Sequence, residues 1–330
     1  MNAPMDTLRA TTDWAGRRVL VTGARGFLGN WLVRLLQARS AIVIGMADAG
    51  RSGDGSDTIS DIAVTAELRD MASLAAVLEA HKPDLVFHLA AKSLPSVARH
   101  QPHLTFEVNA RGTWNLLEAI RCQAPATRLV LVSTDSVYGE NDGSISAEAA
   151  PMAPDFPYES SKACAEIAAR CYARTFGLPV IIARFCNIFG PGDTNMDRLV
   201  AGTVEAVLGG AAPVLRGDGS SVRNYLFVED ATLALLRAAD ALDDRTLSGE
   251  SFNFCDETPV SSIDLVRRII ALAGRPDLAA VLGPGTPGEI SIKRASAGRA
   301  RRLLGWSPTM TLDDGLRKTI AWHRDRRVAR

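Results

Sequence analysis

The 330-residue sequence has no excess of either charge: lysine plus arginine number 37, and so do aspartate plus glutamate. No overall field draws the chain to nucleic acid or to an anionic membrane, which leaves a small, locally recognised partner. The sequence also lacks an apolar run of the roughly 18 to 20 residues that a membrane span needs. Its N-terminus has no apolar signal segment, so residues 1–15 read as a loose leader and the chain as cytoplasmic. Cysteine is sparse: positions 122, 164, 171, 186 and 255 give neither a CxxC pair nor a metal spacing, and the odd count argues against a disulfide framework. Buried thiols in a reducing compartment are the expectation. The five histidines, at 81, 88, 100, 103 and 323, form no metal-ligand set and no Ser-His-Asp arrangement, so no metal is expected. With only four tyrosines and five lysines in the chain, a patterned pair of them is informative.

What is present is an ordinary globular composition, 47% apolar and 22% charged. Strand-like apolar runs at 17–23, 41–47, 84–90, 128–134 and 178–184 alternate with helix-period stretches at 28–38, 71–81 and 113–121. Continuous apolar strands alternating with helices imply an α/β fold, a doubly wound parallel sheet covered on both faces. After about residue 186 the pattern turns irregular and rich in Gly and Pro, with helices expected near 197–209, 230–242, 261–273 and 312–324. The division expected is a main domain over 1–186 and a smaller substrate-holding lobe over 187–330, with about 225–257 returning to the main domain. GRSGDGSD at 50–57 reads as a surface loop, and the WHRDRR tail at 322–327 as a solvated helix end.

Val21 to Gly29 reads VTGARGFLG, placing Gly23, Gly26 and Gly29 three apart between the first strand and the first helix. Such spacing allows a tight turn, a close approach of backbone to a diphosphate, and packing of helix on strand. Asp48 ends the next strand, 19 residues beyond Gly29. A carboxylate there accepts from ribose hydroxyls and repels a 2′-phosphate, favouring NAD over NADP, with Arg51 close by as a counterweight.

Tyr158 and Lys162 form a Y-x-x-x-K pair, four apart and so on one helix face. A tyrosine serving as a base near neutral pH needs its pKa lowered by roughly three units, about 4 kcal/mol, which one ammonium about 4 Å away supplies at an intermediate dielectric. Thr134 stands at the carboxyl end of its strand, where open α/β sheets bind ligands, and its hydroxyl can bond the same substrate oxygen.

These segments, together with HLAAKS at 88–93, FEVNARGTWNLLEA at 106–119, VSTDSVYG at 132–139, RFCNIFGPGD at 184–193, SVRNYLFVEDA at 221–231 and LLGWSPTMTLDDGL at 303–316, resemble the extended short-chain dehydrogenase/reductase family, specifically its NAD-dependent nucleotide-sugar epimerases and dehydratases. The resemblance spans nearly the whole chain. It implies a Rossmann domain, NAD as cofactor, a nucleotide-diphosphate sugar as substrate, and Thr134, Tyr158 and Lys162 as the catalytic triad. It further implies that Arg25, Phe27, Leu28, Leu68, Leu89, Ala90, Ala91, Lys92 and Asn109 line the cofactor or the strand ends beside it, and that Asn187, Arg198 and Arg223 contact the diphosphate, which paired guanidiniums bind well. Tyr158 would take the sugar C4 hydroxyl proton while the C4 hydride passes to NAD, giving a 4-keto intermediate. The resemblance also implies a homodimer packed through helices at 103–122 and 158–176. Glu67 replaces the Asp usual near the adenine, and Ser296 a frequent Asp before LLGW. Members of this fold that sense cofactors or bind nucleic acid without catalysis often lack the Tyr or the Lys, and both remain here.

A 4-keto intermediate has three outcomes: re-reduction from the other face, a 4-epimerisation; decarboxylation, which needs a uronic acid substrate; or loss of the C6 hydroxyl with the C5 proton, a 4,6-dehydration. The dehydration needs an acid and a base. By the resemblance, dehydratases carry Asp after the Thr or Ser, as the acid, followed by Glu or Lys; epimerases have small uncharged residues at both places. Asp135 fits the first and Ser136, at the substrate, the second. GPGDTNMDRLVAGTVEAVL at 190–208 and GEISIKR at 288–294 resemble the CDP-glucose 4,6-dehydratase branch. The expectation is a nucleotide-sugar 4,6-dehydratase, with a 4-epimerase as the alternative.

Overall fold

A computed structural model describes residues 13–48, 60–140, 144–285 and 291–328. Most of the leader, Arg51 and the 50–57 stretch lie outside them. The elements run β1 (Arg18–Thr22), α1 (Phe27–Gln37), β2 (Ile42–Ala47), β3 (Ile62–Thr65), α2 (Met71–His81), β4 (Leu85–His88), α3 (Pro95–His100), α4 (Pro102–Phe106), α5 (Gly112–Gln123), β5 (Arg128–Thr134), α6 (Pro157–Phe176) and β6 (Val180–Phe185). They continue with β7 (Asn187–Phe189), α7 (Leu199–Leu208), β8 (Val214–Leu215), β9 (Val222–Arg223), β10 (Tyr225–Phe227), α8 (Val228–Asp240), β11 (Ser251–Phe254), β12 (Val260–Ser261), α9 (Ser262–Leu272), β13 (Val281–Leu282), α10 (Gly298–Leu304) and α11 (Leu312–Val328).

The central sheet has seven strands in the order β11-β6-β5-β4-β1-β2-β3, and each neighbouring pair is parallel. This is the doubly wound order, which reverses between β1 and β4 and opens a crevice at their carboxyl ends. Strands β1, β4 and β6 read as unbroken apolar runs because helices cover both of their faces. One face packs Leu32, Leu36, Leu235 and Phe252; the other packs Leu74, Leu78, Leu116 and Ala169. The sequence reading found five of the seven strands. It missed β3, four residues on the edge with alternating burial, and β11, four residues whose partner β6 lies far back in the chain.

A lobe forms around Phe189, Val204, Phe227, Leu265 and Leu316, from α7, α9, α11 and short strand pairs. Strand β11 joins the main sheet, and α8 packs on it in one core with Ala295, Ala297, Ala300 and Trp306. Two expectations need correction. Of the five cysteines only Cys186 and Cys255 are buried; Cys122, Cys164 and Cys171 are exposed. The tail at 322–327 is solvated on one face only: Arg324, Asp325 and Arg327 are exposed, but His323 is fully buried and bonded to Glu205 at 2.7 Å, and Arg327 reaches the same carboxylate at 3.0 Å. No described helix is long and apolar enough to cross a membrane, and no cluster among the described residues suits a metal ion.

Candidate active site

The crevice is lined on one side by the glycine turn. Gly23 has φ +73°, and a Cβ there would stand 2.9 Å from the Ala90 nitrogen; a Cβ on Gly29 would strike the Gly23 carbonyl. The backbone of β1, the start of α1 and the residues after β4 therefore close on one another only because these positions carry no side chain. Gly26 caps α1 without any side-chain bond, so the amides of the first helical turn face the crevice. This cradle suits the diphosphate of a dinucleotide. Asp48 is exposed at the end of β2, and Glu67 is drawn to Arg69 at 2.9 Å. Phe27 and Leu28 open α1 beside the cradle. Leu68 is buried and meets Gly112 across the crevice floor, and Leu89, Ala90, Ala91 and Lys92 follow β4. Arg25 lies exposed on the turn. Asn109 does something more local: its amide accepts from the Lys92 nitrogen at 2.7 Å and donates to the Lys92 carbonyl and to the Ser161 hydroxyl. It ties the segment after β4 to α6, one turn from Tyr158.

His88 braces the same strand ends. It is fully buried, with Nδ1 2.8 Å from the Thr22 hydroxyl and Nε2 3.0 Å from that of Thr113, and burial presses its pKa down to about 3. A depressed folded-state pKa contributes stability above the unfolded value of 6.5 and loses it as pH falls toward 3. Acid should therefore cost up to ~1.4 kcal/mol per pH unit through this one group. His88→Gln is expected to flatten the dependence of Tm on pH across that window; parallel slopes for wild type and variant would refute the assignment.

Thr134, Asp135, Tyr158 and Lys162 converge where β5 ends and α6 begins. Pro157 at the first helical position starts α6, which sets Tyr158 and Lys162 one turn apart facing the strand end. The Lys162 ammonium donates to the Val132 carbonyl, and burial brings its pKa down to about 8. In the chain without cofactor, burial, then Glu159 and Asp135, push the Tyr158 phenol up, while Arg198 and a hydrogen bond from Thr134 oppose them.

Two groups in the site were not singled out from the sequence. Lys293 is 7% exposed, and its ammonium stands 2.9 Å from Asp135 Oδ1 and 2.8 Å from Ser136 Oγ. Glu159 is buried at the first turn of α6, its Oε2 without a partner and its pKa held up by burial against the pull of Lys293 and Arg99. The only sequence signals were GEISIKR and the E of YESSK, and neither says where its side chain goes.

On the lobe side Arg198 pairs with buried Asp193 at 3.1 Å and lies over the Phe27 ring at 5.7 Å, bridging the lobe to the cradle. Arg223 donates to the Val222 and Ser291 carbonyls. Asn187 pairs with Tyr225 in the β7–β10 ladder and stays half-buried. The arrangement offers a dinucleotide cradle, a hydroxyl and phenol for proton transfer at a carbinol, and a buried carboxylate beside a buried ammonium.

Residues 19–255 match the family described as the NAD dependent epimerase/dehydratase family. The chain is 31% identical over 341 residues to a dTDP-glucose 4,6-dehydratase of Neisseria meningitidis, covering 94% of each chain. It is 32% identical to a UDP-glucose 4-epimerase of Mycolicibacterium smegmatis, covering 94% of this chain and 99% of the relative. The structure of a dTDP-glucose 4,6-dehydratase from Streptomyces venezuelae with NAD bound superimposes with a TM-score of 0.85 at 29% identity, over 94% of this chain and 98% of that one.

Proposed function

Because this chain belongs to the NAD dependent epimerase/dehydratase family, its site has to be assigned to one of that family's two reactions, and we propose a 4,6-dehydration of a nucleotide-diphosphate hexose. The glycine cradle and Asp48 would hold NAD, which would supply the hydride chemistry at C4. Tyr158 holds the C4 hydroxyl and takes its proton, Thr134 bonds the same oxygen, and Lys162 fixes the strand end and adds positive charge nearby. Arg198, Arg223 and Asn187 mark the path of the diphosphate.

Asp135 carries the choice of reaction. It is 1% exposed, and its Oδ2 has no hydrogen-bond partner among the described residues. Burying a carboxylate with a bare oxygen costs free energy unless the site uses it. A dehydratase has that use at C5 and C6; a simple epimerase has none. The alternative, 4-epimerisation, draws support from Ser136 and from the 4-epimerase relative. Incubation with dTDP-glucose, UDP-glucose and CDP-glucose, followed by proton NMR, separates the two. A new C6 methyl doublet is expected; an intact C6 with inverted C4 would decide for epimerisation. The panel also identifies the base, because the sequence resembles a CDP-glucose branch while the relatives above act on dTDP- and UDP-glucose. The enzyme is expected to be a homodimer, supported by Trp114 on α5 and Ile167 on α6, large apolar side chains left 46% and 58% exposed on two helices that pack together.

A further inference from the structure

We infer that Lys293, which reaches the site from 157 residues beyond Ser136, is the acid of the elimination and that Asp135 is its base, the two acting as one proton-exchanging pair. This rests on the dehydratase reading and supplies the second charged group that Ser136 leaves missing.

The segment bearing Lys293 is held from both sides. The Lys293 nitrogen donates to the Val222 carbonyl at 3.1 Å, Ser146 bridges Ala295, the Ala295 nitrogen donates to Asn224, and Arg223 holds the Ser291 carbonyl. The backbone is thereby fixed, and the side chain runs into the buried space above β5. There it meets Asp135 Oδ1 at 2.9 Å and Ser136 Oγ at 2.8 Å, while Thr134 Oγ1 stands 3.1 Å from Ser136 Oγ. A small residue at 136 leaves room for this lysine. The bare oxygen, Asp135 Oδ2, is the one free to take a proton.

The elimination then balances within the pair. With a ketone at C4, the C5 proton is acidified and passes to Asp135; the electrons of the C5–H bond form the C5=C6 double bond. The C6–O bond breaks as Lys293 gives its proton to the departing hydroxyl, which leaves as water. A neutral amine and a carboxylic acid now face each other, and one proton transfer across the pair restores the ammonium and the carboxylate. Nothing is oxidised or reduced, and no co-reactant is consumed. When C5 is protonated again, the hydroxyls of Thr134 and Ser136 lead from Tyr158 to Lys293 and can recharge it with the proton taken from C4.

The test compares wild type, Lys293→Met, Lys293→Arg and Glu159→Gln with dTDP-, UDP- and CDP-glucose, reading methyl product by NMR and the absorbance of reduced nicotinamide on the enzyme. Arginine can keep the ion pair with Asp135 but does not release its proton. Both Lys293 variants are expected to form methyl product at least about 100-fold more slowly, with reduced nicotinamide still appearing as C4 is oxidised. Methyl product from Lys293→Arg within a few-fold of wild type would make the lysine a structural cation and overturn the inference. So would loss of reduced nicotinamide at unchanged melting temperature, which would place Lys293 at the C4 step. Loss of elimination in Glu159→Gln with retention in Lys293→Arg would transfer the role to Glu159. A wild type that only inverts C4 overturns the dehydratase reading itself, an outcome seen without any variant.

Discussion

Tyr158→Phe is expected to lower turnover of a nucleotide sugar by about a hundred- to ten-thousand-fold while leaving NAD affinity and melting temperature close to wild type. The substitution removes one oxygen and leaves the ring that packs the site, so the loss measures proton transfer rather than shape. In the folded protein the phenol is costly to ionise, because burial, Glu159 and Asp135 all favour its neutral form. What opposes them is positive charge and hydrogen bonding, from Arg198 and Thr134. Arg198 pairs with Asp193 and lies over Phe27, so the residue expected at the diphosphate also stands where it eases removal of the tyrosine proton. Thr134→Ala should then cost less than Tyr158→Phe, since Thr134 is one of several contributions and Tyr158 is the atom that accepts. Steady-state rates beside an NAD titration check both. Retention of more than a tenth of wild-type turnover in Tyr158→Phe would remove it from the role of base, and a parallel loss of NAD affinity would make it a binding residue instead.

The part of this site legible in the sequence is the part built from short-range patterns. VTGARGFLG specifies its own geometry because strand, turn and helix start lie within nine residues, and Tyr158 with Lys162 is a one-turn relation. Residues at a strand end, such as Thr134 and Asp135, are placed by the parallel order alone. Lys293 was not legible, since its approach depends on a backbone strung between Ser146 and Val222, segments that no local periodicity connects to it. For β11 only the return of 225–257 to the main domain was legible, not the strand itself, which joins the sheet beside β6 after an excursion through the lobe. Spacing also placed the Lys162 ammonium on the helix face of Tyr158, but not its bond to the Val132 carbonyl, which comes from the strand beneath.

Glu166→Ala is expected to destabilise the fold by about 3–5 kcal/mol, because it strands a buried guanidinium. Glu166 is 0% and Arg184 1% exposed. The carboxylate takes two bonds from Arg184 Nε and one at 2.6 Å from the terminal nitrogen, another at 2.6 Å from the Ser133 hydroxyl, and one from Arg170 at 3.3 Å. Arg184 also donates to Tyr138, whose hydroxyl donates to Asn253 on β11. The network thus ties α6 to β5, β6 and β11 directly beneath the catalytic strand end. Ser133 precedes Thr134, and Glu166 follows Lys162 by one turn, where its charge raises the lysine's pKa against burial. Removing Glu166 should therefore loosen the position of Thr134 as well as the fold. Replacing both Glu166 and Arg184 with Met separates the costs: no fully buried charge is left unpaired, since Arg170 is partly exposed and keeps Ser251, so the double variant should recover much of the stability that Glu166→Ala loses. Activity should not return with it, because neither methionine can hold the Ser133 hydroxyl or support the lysine's charge. Thermal melts of the three proteins beside their turnover decide the matter: a double variant restored in both would show that the network serves stability alone, and a single variant as stable as wild type would show that the pair is not closed in solution.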